Sequence, residues 1–183
     1  MKKMKKIIAV LFTMTIGMFA HAQLFSTLSG KVGFFSKTPM EDIDGTSHKT
    51  LAVLNITKNE MAIIITNTTF EFPNKLMEEH FNEKYMQSDK YPTSTFKGKI
   101  NEAVDLSKDG EYKITSTGKL NIHGVEIERT IPGTIIVKGG EIKITSNFPV
   151  KNADHKIEIP SLVATKIAES LDVSVELVLL PRK

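Results

Sequence analysis

The sequence contains no cysteine and no tryptophan among its 183 residues, and neither sign of charge is in large excess. The absence of cysteine excludes a disulfide-stabilised scaffold, a cysteine-ligated zinc site and a thiol nucleophile. Four of the 24 basic residues are lysines within the first six positions, which leaves 20 basic and 21 acidic residues in the chain. A nearly neutral chain lacks the positive charge that binds phosphates, so we expect no nucleic-acid partner.

The N-terminal segment has the three parts of a secretory signal peptide. Residues 1–6 are rich in lysine, residues 7–19 are apolar, and Ala20-His21-Ala22 supplies small residues at the cleavage positions. We therefore predict that residues 1–22 are a signal peptide and that the mature protein begins at Gln23. The apolar stretch is shorter than the ~20 residues that span a bilayer, so we predict no stable membrane anchor. These features are typical of a periplasmic or secreted protein.

The rest of the sequence is dominated by short runs of β-branched and apolar residues that are separated by turn residues. Period two is clearest in residues 111–122, where Ile114 and Leu120 share one face and Thr115 and Lys119 share the other. The first pair is predicted to face the core, and Thr115 is predicted to face solvent and to tolerate aspartate. Eight strands are predicted in total, over residues 31–36, 49–57, 60–69, 95–102, 111–122, 125–138, 141–150 and 171–179.

Two segments show helical spacing instead. Residues 74–86 carry Met77, Phe81 and Tyr85 four residues apart behind Asn74, which is a good N-cap residue. Residues 161–169 are predicted to form a second short helix that Ser161 caps, with the side chains of Val163 and Ile167 facing inward. Short strands at this spacing, with one or two short helices, predict a single all-β domain over residues 23–183 that is a sandwich or a barrel.

Residues suited to catalysis or metal binding are sparse. His80 and Glu83 are three residues apart on the first predicted helix, but no third ligand stands at a fixed spacing and the HExxH pattern is missing. His123 precedes Gly124 and is interpreted as a hydrogen-bonding turn residue rather than a base. We identify no acid–base pair, so the sequence predicts no catalytic residues, no metal site, no cofactor and no enzymatic activity.

Two blocks of the sequence resemble the YceI-like family of periplasmic lipid-binding proteins. They span residues 76–98 and 110–133, and residues 30–45 and the last strand are also similar to that family. The shared pattern is an aromatic segment, a tyrosine-proline pair, a strand with phenylalanine and a Gly-Leu-X-Ile-His-Gly-Val turn. In this sequence it corresponds to Phe81 and Tyr85, Tyr91-Pro92, Phe96 and residues 118–125. Members usually have two adjacent phenylalanines before the tyrosine-proline pair, whereas residues 81–86 here read FNEKYM.

The resemblance implies an extended, eight-stranded antiparallel barrel of the lipocalin-like kind. It also implies an internal cavity for the non-catalytic binding, transport or storage of a polyisoprenoid, an isoprenoid quinone or a fatty-acid-like chain. Periodicity alone is equally compatible with a filled barrel, which would favour an envelope-stress or interaction protein without a ligand. A homodimer is left open beside a monomer. The residues proposed to line the cavity are Phe34, Phe81, Phe96, Ile114, Leu120, Ile122, Val175 and Leu177.

Overall fold

The computed structural model describes residues 24–182, which form a closed antiparallel barrel of eight strands. Each strand pairs with its neighbour in sequence, and β1 also pairs with β8, so the sheet has no free edge. The predicted eight-stranded lipocalin-like barrel is thereby confirmed. The strands are β1 (Leu24–Lys37), β2 (Asp42–Asn55), β3 (Glu60–Thr66), β4 (Thr93–Ile100), β5 (Gly110–Ile122), β6 (Val125–Lys138), β7 (Glu141–Lys151) and β8 (Ser170–Pro181).

Tight turns join the strands at two hairpins. His123 and Gly124 have φ angles of 53° and 72° and connect β5 to β6, where Ile122 pairs directly with Val125. Two residues at positive φ form the hairpin turn whose twist matches that of the strands. Gly139 and Gly140 have φ angles of 58° and 83° and connect β6 to β7 in the same way. The prediction of His123 as a turn residue is therefore confirmed.

Only β6 has its predicted bounds, and three strands differ most from theirs. β1 and β2 begin earlier than predicted, and the additional residues of β2 are largely polar, among them the fully buried Ser47. β3 ends at Thr66, and Asn67–Thr69 form a 3₁₀ turn instead of the last part of that strand. Asn67 is fully buried, its Nδ2 donates to the Tyr91 carbonyl at 2.6 Å, and its Oδ1 accepts from Ser94 Oγ at 2.8 Å. These bonds hold the chain away from the sheet.

The first predicted helix is present, and the second is not. Helix α1 (Lys75–His80) begins after Asn74, whose Oδ1 accepts from the Leu76 amide at 2.8 Å, and it continues as a π-helical turn over Phe81–Tyr85. The prediction of a helix over residues 161–169 was wrong. Only Ser161–Val163 form a 3₁₀ turn, and the residue at the cap position is Pro160, which offers no capping side chain.

One half of the barrel interior is a packed core. It lies at the end where the β2–β3 turn, the β4–β5 loop and the β6–β7 turn meet, and the buried Leu106 of the β4–β5 loop covers it. The Glu102 carboxylate fastens this loop to β5, because it accepts from the Thr115 amide and hydroxyl, each at 2.8 Å. The aliphatic and aromatic side chains of this packed half include those of Phe25, Leu54, Ile100, Leu106, Ile135, Val137, Ile142, Leu177 and Leu179.

Candidate functional site

The other half of the barrel is hollow. It contains a cavity of about 470 Å³, within the usual range of roughly 300–1,000 Å³ for ligand pockets. The cavity lies at the end that carries the β1–β2 turn, the β3–β4 connection with α1, the His123-Gly124 turn and the β7–β8 connection. Exposed residues of these connections, such as Leu76 and Lys166, contribute to its lining. This end of the barrel is therefore the mouth of the cavity.

The structure places seven of the eight predicted lining residues around this cavity. The exception is Leu177, which is 0% exposed and lies deeper, in the packed half, where it occupies the space that Gly30 leaves by having no side chain. The alternation of Val175 and Leu177 correctly predicted the inner face of β8, but it did not predict how far from the mouth each residue lies. The seven residues that line the cavity are Phe34, Phe81, Phe96, Ile114, Leu120, Ile122 and Val175.

Four phenylalanines form one cluster in the cavity wall near the mouth. The Phe81 ring of the π-helical turn lies 5.5 Å from Phe34 of β1 between ring centroids, and its centroid is 5.3 Å from that of Phe70 and 5.1 Å from that of Phe72. These separations are typical of stabilising aromatic pairs. The cluster packs the helical segment against the barrel, and Gly45 leaves room for the Phe34 and Phe72 rings. Sequence reasoning missed Phe70 and Phe72, because they lie in a connection without periodicity.

A pair of glycines shapes the deeper wall. Gly98 of β4 pairs with Gly118 of β5, and the Phe96 ring lies over Gly98, where a Cβ atom would stand 2.5 Å from the ring. The neighbouring Ser116 is buried and lines the cavity, and its Oγ has no hydrogen-bond partner in the described part of the chain. Small residues here leave open the space that large side chains would otherwise fill.

The β7–β8 connection closes one side of the mouth. We call residues 152–169 the strap; its residues Ile157 and Ile159 contribute apolar side chains to the cavity lining. The Ala168 amide donates to Ser36 Oγ of β1 at 2.9 Å, and the Ala168 carbonyl accepts from Asn152 Nδ2 at 2.9 Å. An ion pair of 3.8 Å between Lys166 and Glu41 adds a second contact with the β1–β2 turn.

Charged chemistry is scarce around the cavity. Within residues 24–182, no group of three or more His, Cys, Asp or Glu side chains is placed to hold a metal ion, so His80 and Glu83 acquire no third ligand in that range. The same part of the chain contains no helix that is long and apolar enough to cross a membrane. The lining is mostly aliphatic and aromatic, which suits an apolar guest rather than a charged one.

Two histidines connect the strap to the β5–β6 turn. The fully buried His155 approaches the Val125 carbonyl with its Nδ1 at 3.2 Å, and His123 Nδ1 approaches the His155 carbonyl at 3.1 Å. A carbonyl only accepts, so both Nδ1 atoms donate in these bonds. Within residues 24–182, both Nε2 atoms are buried without a hydrogen-bond partner. Burial lowers the pKa of His155 below its ordinary value of 6.5.

This arrangement predicts an acid-sensitive strap. Because the folded pKa of His155 is lowered, the unfolded chain binds the proton more tightly, and stability falls as the pH drops below about 6.5. The pKa values of the Glu102 and Glu176 carboxyls are lowered from 4.5, and the pKa of Asp105 is lowered to about 2. Protonation of these carboxyls therefore changes the stability only in more acidic solution. Urea midpoints between pH 7.5 and 5.5 therefore isolate the histidines.

The expected result is a midpoint that decreases on acidification in the unaltered protein and decreases less in His155→Gln. His48→Gln is the matched control, because His48 is exposed on β2. If the urea midpoint decreased equally with pH in the two variants, His155 would not be the cause of the pH dependence.

Solved structures of other chains share this barrel. The polyisoprenoid-binding domain from Saccharophagus degradans implicated in plant cell wall breakdown aligns with a TM-score of 0.75 and 13% identity, over 88% of this chain and 99% of that chain. BcnA from Burkholderia cenocepacia aligns with a TM-score of 0.69 and 22% identity, over 81% of this chain and 95% of that chain. The Campylobacter jejuni YCEI protein aligns with a TM-score of 0.60 and 18% identity, over 76% and 85% respectively. At these identities the likeness shows a common fold.

The family assignment comes from the sequence. A search of the curated proteins gives no significant match. A family model described as a YceI-like domain matches residues 13–179, which include almost the entire barrel and all the elements that surround the cavity. The blocks over residues 76–98 and 110–133, which resemble this family, lie inside that match. With nearly the whole chain matched, the protein belongs to the YceI-like family.

Proposed function

We propose that this protein binds a long-chain apolar lipid in the hollow half of its barrel and transports or stores it without chemical change. The observation that carries the proposal is the cavity of about 470 Å³, whose wall is mostly aliphatic and aromatic. Burial of an apolar chain there is favourable by roughly 0.8 kcal/mol per CH₂ before entropic costs. The structural neighbour from Saccharophagus degradans is described as a polyisoprenoid-binding domain, and a polyisoprenoid is a long apolar chain.

The alternative of an interaction protein without a ligand required a filled barrel. In residues 24–182 the half of the barrel near the mouth is not filled by side chains, which favours lipid binding over a protein without a ligand. A polyisoprenoid, an isoprenoid quinone and a fatty-acid-like chain all suit an apolar wall. All three classes remain predictions from the family resemblance, and a homodimer also remains a prediction.

The direct test is to extract the purified protein with organic solvent and to analyse the extract by mass spectrometry. We expect about one long-chain apolar molecule per barrel, since the apolar cavity formed by residues 24–182 is a single space of about 470 Å³. An extract that matches that of an unrelated exported protein, together with no uptake of prenyl chains, quinones or fatty acids, would contradict the proposal.

A pair of serine variants makes this test specific to the cavity. Ser116→Leu places four carbons in the cavity wall at a position where no hydrogen bond is lost, so it should lower the bound lipid and leave the protein folded. Ser174→Leu is the control, because Ser174 is exposed on the outer face of β8. Equal lipid contents in the two variants would place the ligand elsewhere.

We also propose that the protein works outside the cytoplasm. The support is the basic and apolar start of the sequence followed by Ala20-His21-Ala22, all of which lies outside the described residues. N-terminal sequencing of the protein from the exported fraction should read Gln23-Leu24-Phe25-Ser26. A cytoplasmic protein that keeps Met1 would contradict export.

A further inference from the structure

Exposed apolar side chains are concentrated at the mouth of the cavity. In residues 24–182, five large apolar side chains are more than half exposed, and three of them belong to connections at the mouth. Leu162 of the strap is 93% exposed, Met40 of the β1–β2 turn is 67% exposed, and Leu76 of α1 is 54% exposed. We call these three residues the rim. Solvent exposure of large apolar groups around one opening indicates a surface that binds a partner.

Each rim residue is held by rigid local structure. The Thr38 hydroxyl accepts from the Met40 amide at 3.3 Å and donates to the Glu41 carbonyl at 2.9 Å, which fixes the turn that presents Met40. Leu162 is the central residue of the Ser161–Val163 turn, and Leu76 lies in the capped first turn of α1. Because the backbone is already ordered at these positions, burial by a partner costs little additional backbone entropy.

The rim continues directly into the cavity wall. Leu76 itself lines the cavity, and so do Glu41 and Val163, which are the chain neighbours of Met40 and Leu162. The Lys166–Glu41 ion pair brings the strap and the β1–β2 turn together at this point. The rim therefore borders the opening of the hollow half, and a partner seated on the rim would stand at that opening.

The net charge at the mouth indicates whether the rim could bind a membrane through charge or through apolar contacts. The connections at the mouth, residues 38–41, 67–92 and 152–169, contain nine acidic and five basic residues. Such a surface repels anionic headgroups, so attraction by polybasic contacts is excluded as the source of binding. What remains is insertion of the apolar rim into the interfacial region of a membrane.

We propose that the rim of Met40, Leu76 and Leu162 docks onto the surface of a lipid bilayer and presents the cavity mouth to it. This inference rests on the proposed function, because an apolar lipid resides in membranes and its transfer through water is costly. The rim removes that cost, since the lipid passes from the acyl region into the cavity while water is excluded at the mouth. Docking is driven by burial of the three apolar side chains rather than by charge.

The test is flotation of the exported protein with vesicles of phosphatidylcholine alone. We expect the protein to float with the vesicles. Leu162→Asp should lower its partition coefficient by about tenfold or more, because a charge replaces the leucine that would insert into the membrane. Leu28→Asp is the matched control. Leu28 is 77% exposed but lies on the outer wall of β1, in the half of the barrel away from the mouth. It should leave the partition coefficient within about twofold.

Lipid composition and salt provide a second measurement. Addition of phosphatidylglycerol should weaken binding at low salt, and added salt should restore it, because the mouth is net acidic. The proposal is overturned by a protein that does not float, by a Leu28→Asp variant as defective as Leu162→Asp, or by binding that requires anionic lipid. It is also overturned if Leu162→Asp instead dissociates an oligomer, which would make the rim an interface between copies.

Ligand uptake separates this proposal from the proposed function. A fluorescent long-chain fatty acid added from ethanol reaches the cavity without a membrane, so Leu162→Asp should bind it as the unaltered protein does. The same variant should accept it from vesicles about tenfold more slowly. If the unaltered protein takes up no fatty acid, prenyl chain or quinone from ethanol, the proposed function fails. If both proteins take up the fluorescent ligand from vesicles at the same rate, only the docking proposal fails.

Discussion

Replacement of Ile114 with aspartate is expected to abolish lipid uptake and to lower the free energy of unfolding by several kcal/mol. Ile114 is buried on the inner face of β5 and lines the cavity, next to Gly133 of β6. A carboxylate there either remains desolvated or raises its pKa to become neutral, and both outcomes cost free energy. The urea midpoint and the uptake of a fluorescent fatty acid measure the two effects.

The control for this change is Lys113→Asp, one residue earlier on the same strand. Lys113 is exposed and its side chain faces away from the cavity, so the change in stability should stay within about 0.5 kcal/mol. Ile114→Ala is the milder companion, which should lower stability by about 2–5 kcal/mol and keep the cavity apolar and able to take up lipid. A Lys113→Asp variant more defective than Ile114→Asp would show that the inner face of β5 has been assigned wrongly.

Thr115 does not serve as the control, although the sequence predicted that it tolerates aspartate. It does lie on the outer face, but its amide and hydroxyl both donate to the Glu102 carboxylate at 2.8 Å. An aspartate at this position would bring two carboxylates together and release the β4–β5 loop that covers the packed half. The tolerance expected from alternation fails here because a distant loop residue, rather than water, contacts the outer face.

The second large effect is expected for Leu177→Ala, which should lower the free energy of unfolding by about 2–5 kcal/mol and leave lipid uptake intact. Leu177 is 0% exposed in the packed half, so its removal leaves a hole that the neighbouring strands cannot fill. It does not line the cavity, so the wall offered to the ligand is unchanged. Urea denaturation and fatty-acid uptake again give the two readings.

Val178→Ala provides the comparison for this variant. Val178 is the next residue of β8, is 42% exposed and faces outward, so its truncation should cost less than about 1 kcal/mol. If Leu177→Ala lost lipid uptake while remaining folded, Leu177 would belong to the binding wall, as the sequence had predicted, and the boundary between the two halves of the barrel would have to be moved.

The fold was largely predictable because its signals are local. Alternation in residues 111–122 gave the inner face of β5, and His123-Gly124 and Gly139-Gly140 marked two hairpins. The early part of β2 was missed because its residues are largely polar, although the barrel buries one of them, Ser47. Closure of the sheet into a barrel places Ser47 inside. Closure depends on the pairing of all eight strands, so a short stretch of sequence does not reveal it.

The site was less predictable for a related reason. Alternation assigns a residue to the inner face but does not say how far along the barrel it lies, so Val175 and Leu177 looked equivalent. Depth depends on where the opposite strands and loops pack, and Leu106 in the β4–β5 loop decides it for the packed half. Phe70 and Phe72 joined the wall through a connection whose path is fixed by Asn67, a residue with no periodic signal.

The division of the barrel into a packed half and a hollow half has a consequence for how such a protein evolves. A side chain that faces empty space has fewer contacts to lose when it changes size, whereas one in the packed half leaves a void or a clash. Substitutions at Ile63 or Val173 in the cavity wall therefore alter the shape offered to the ligand while the packed half keeps the chain folded. Under the proposed function, a few such changes would shift the preference from one lipid to another, because stability and selectivity would depend on different residues.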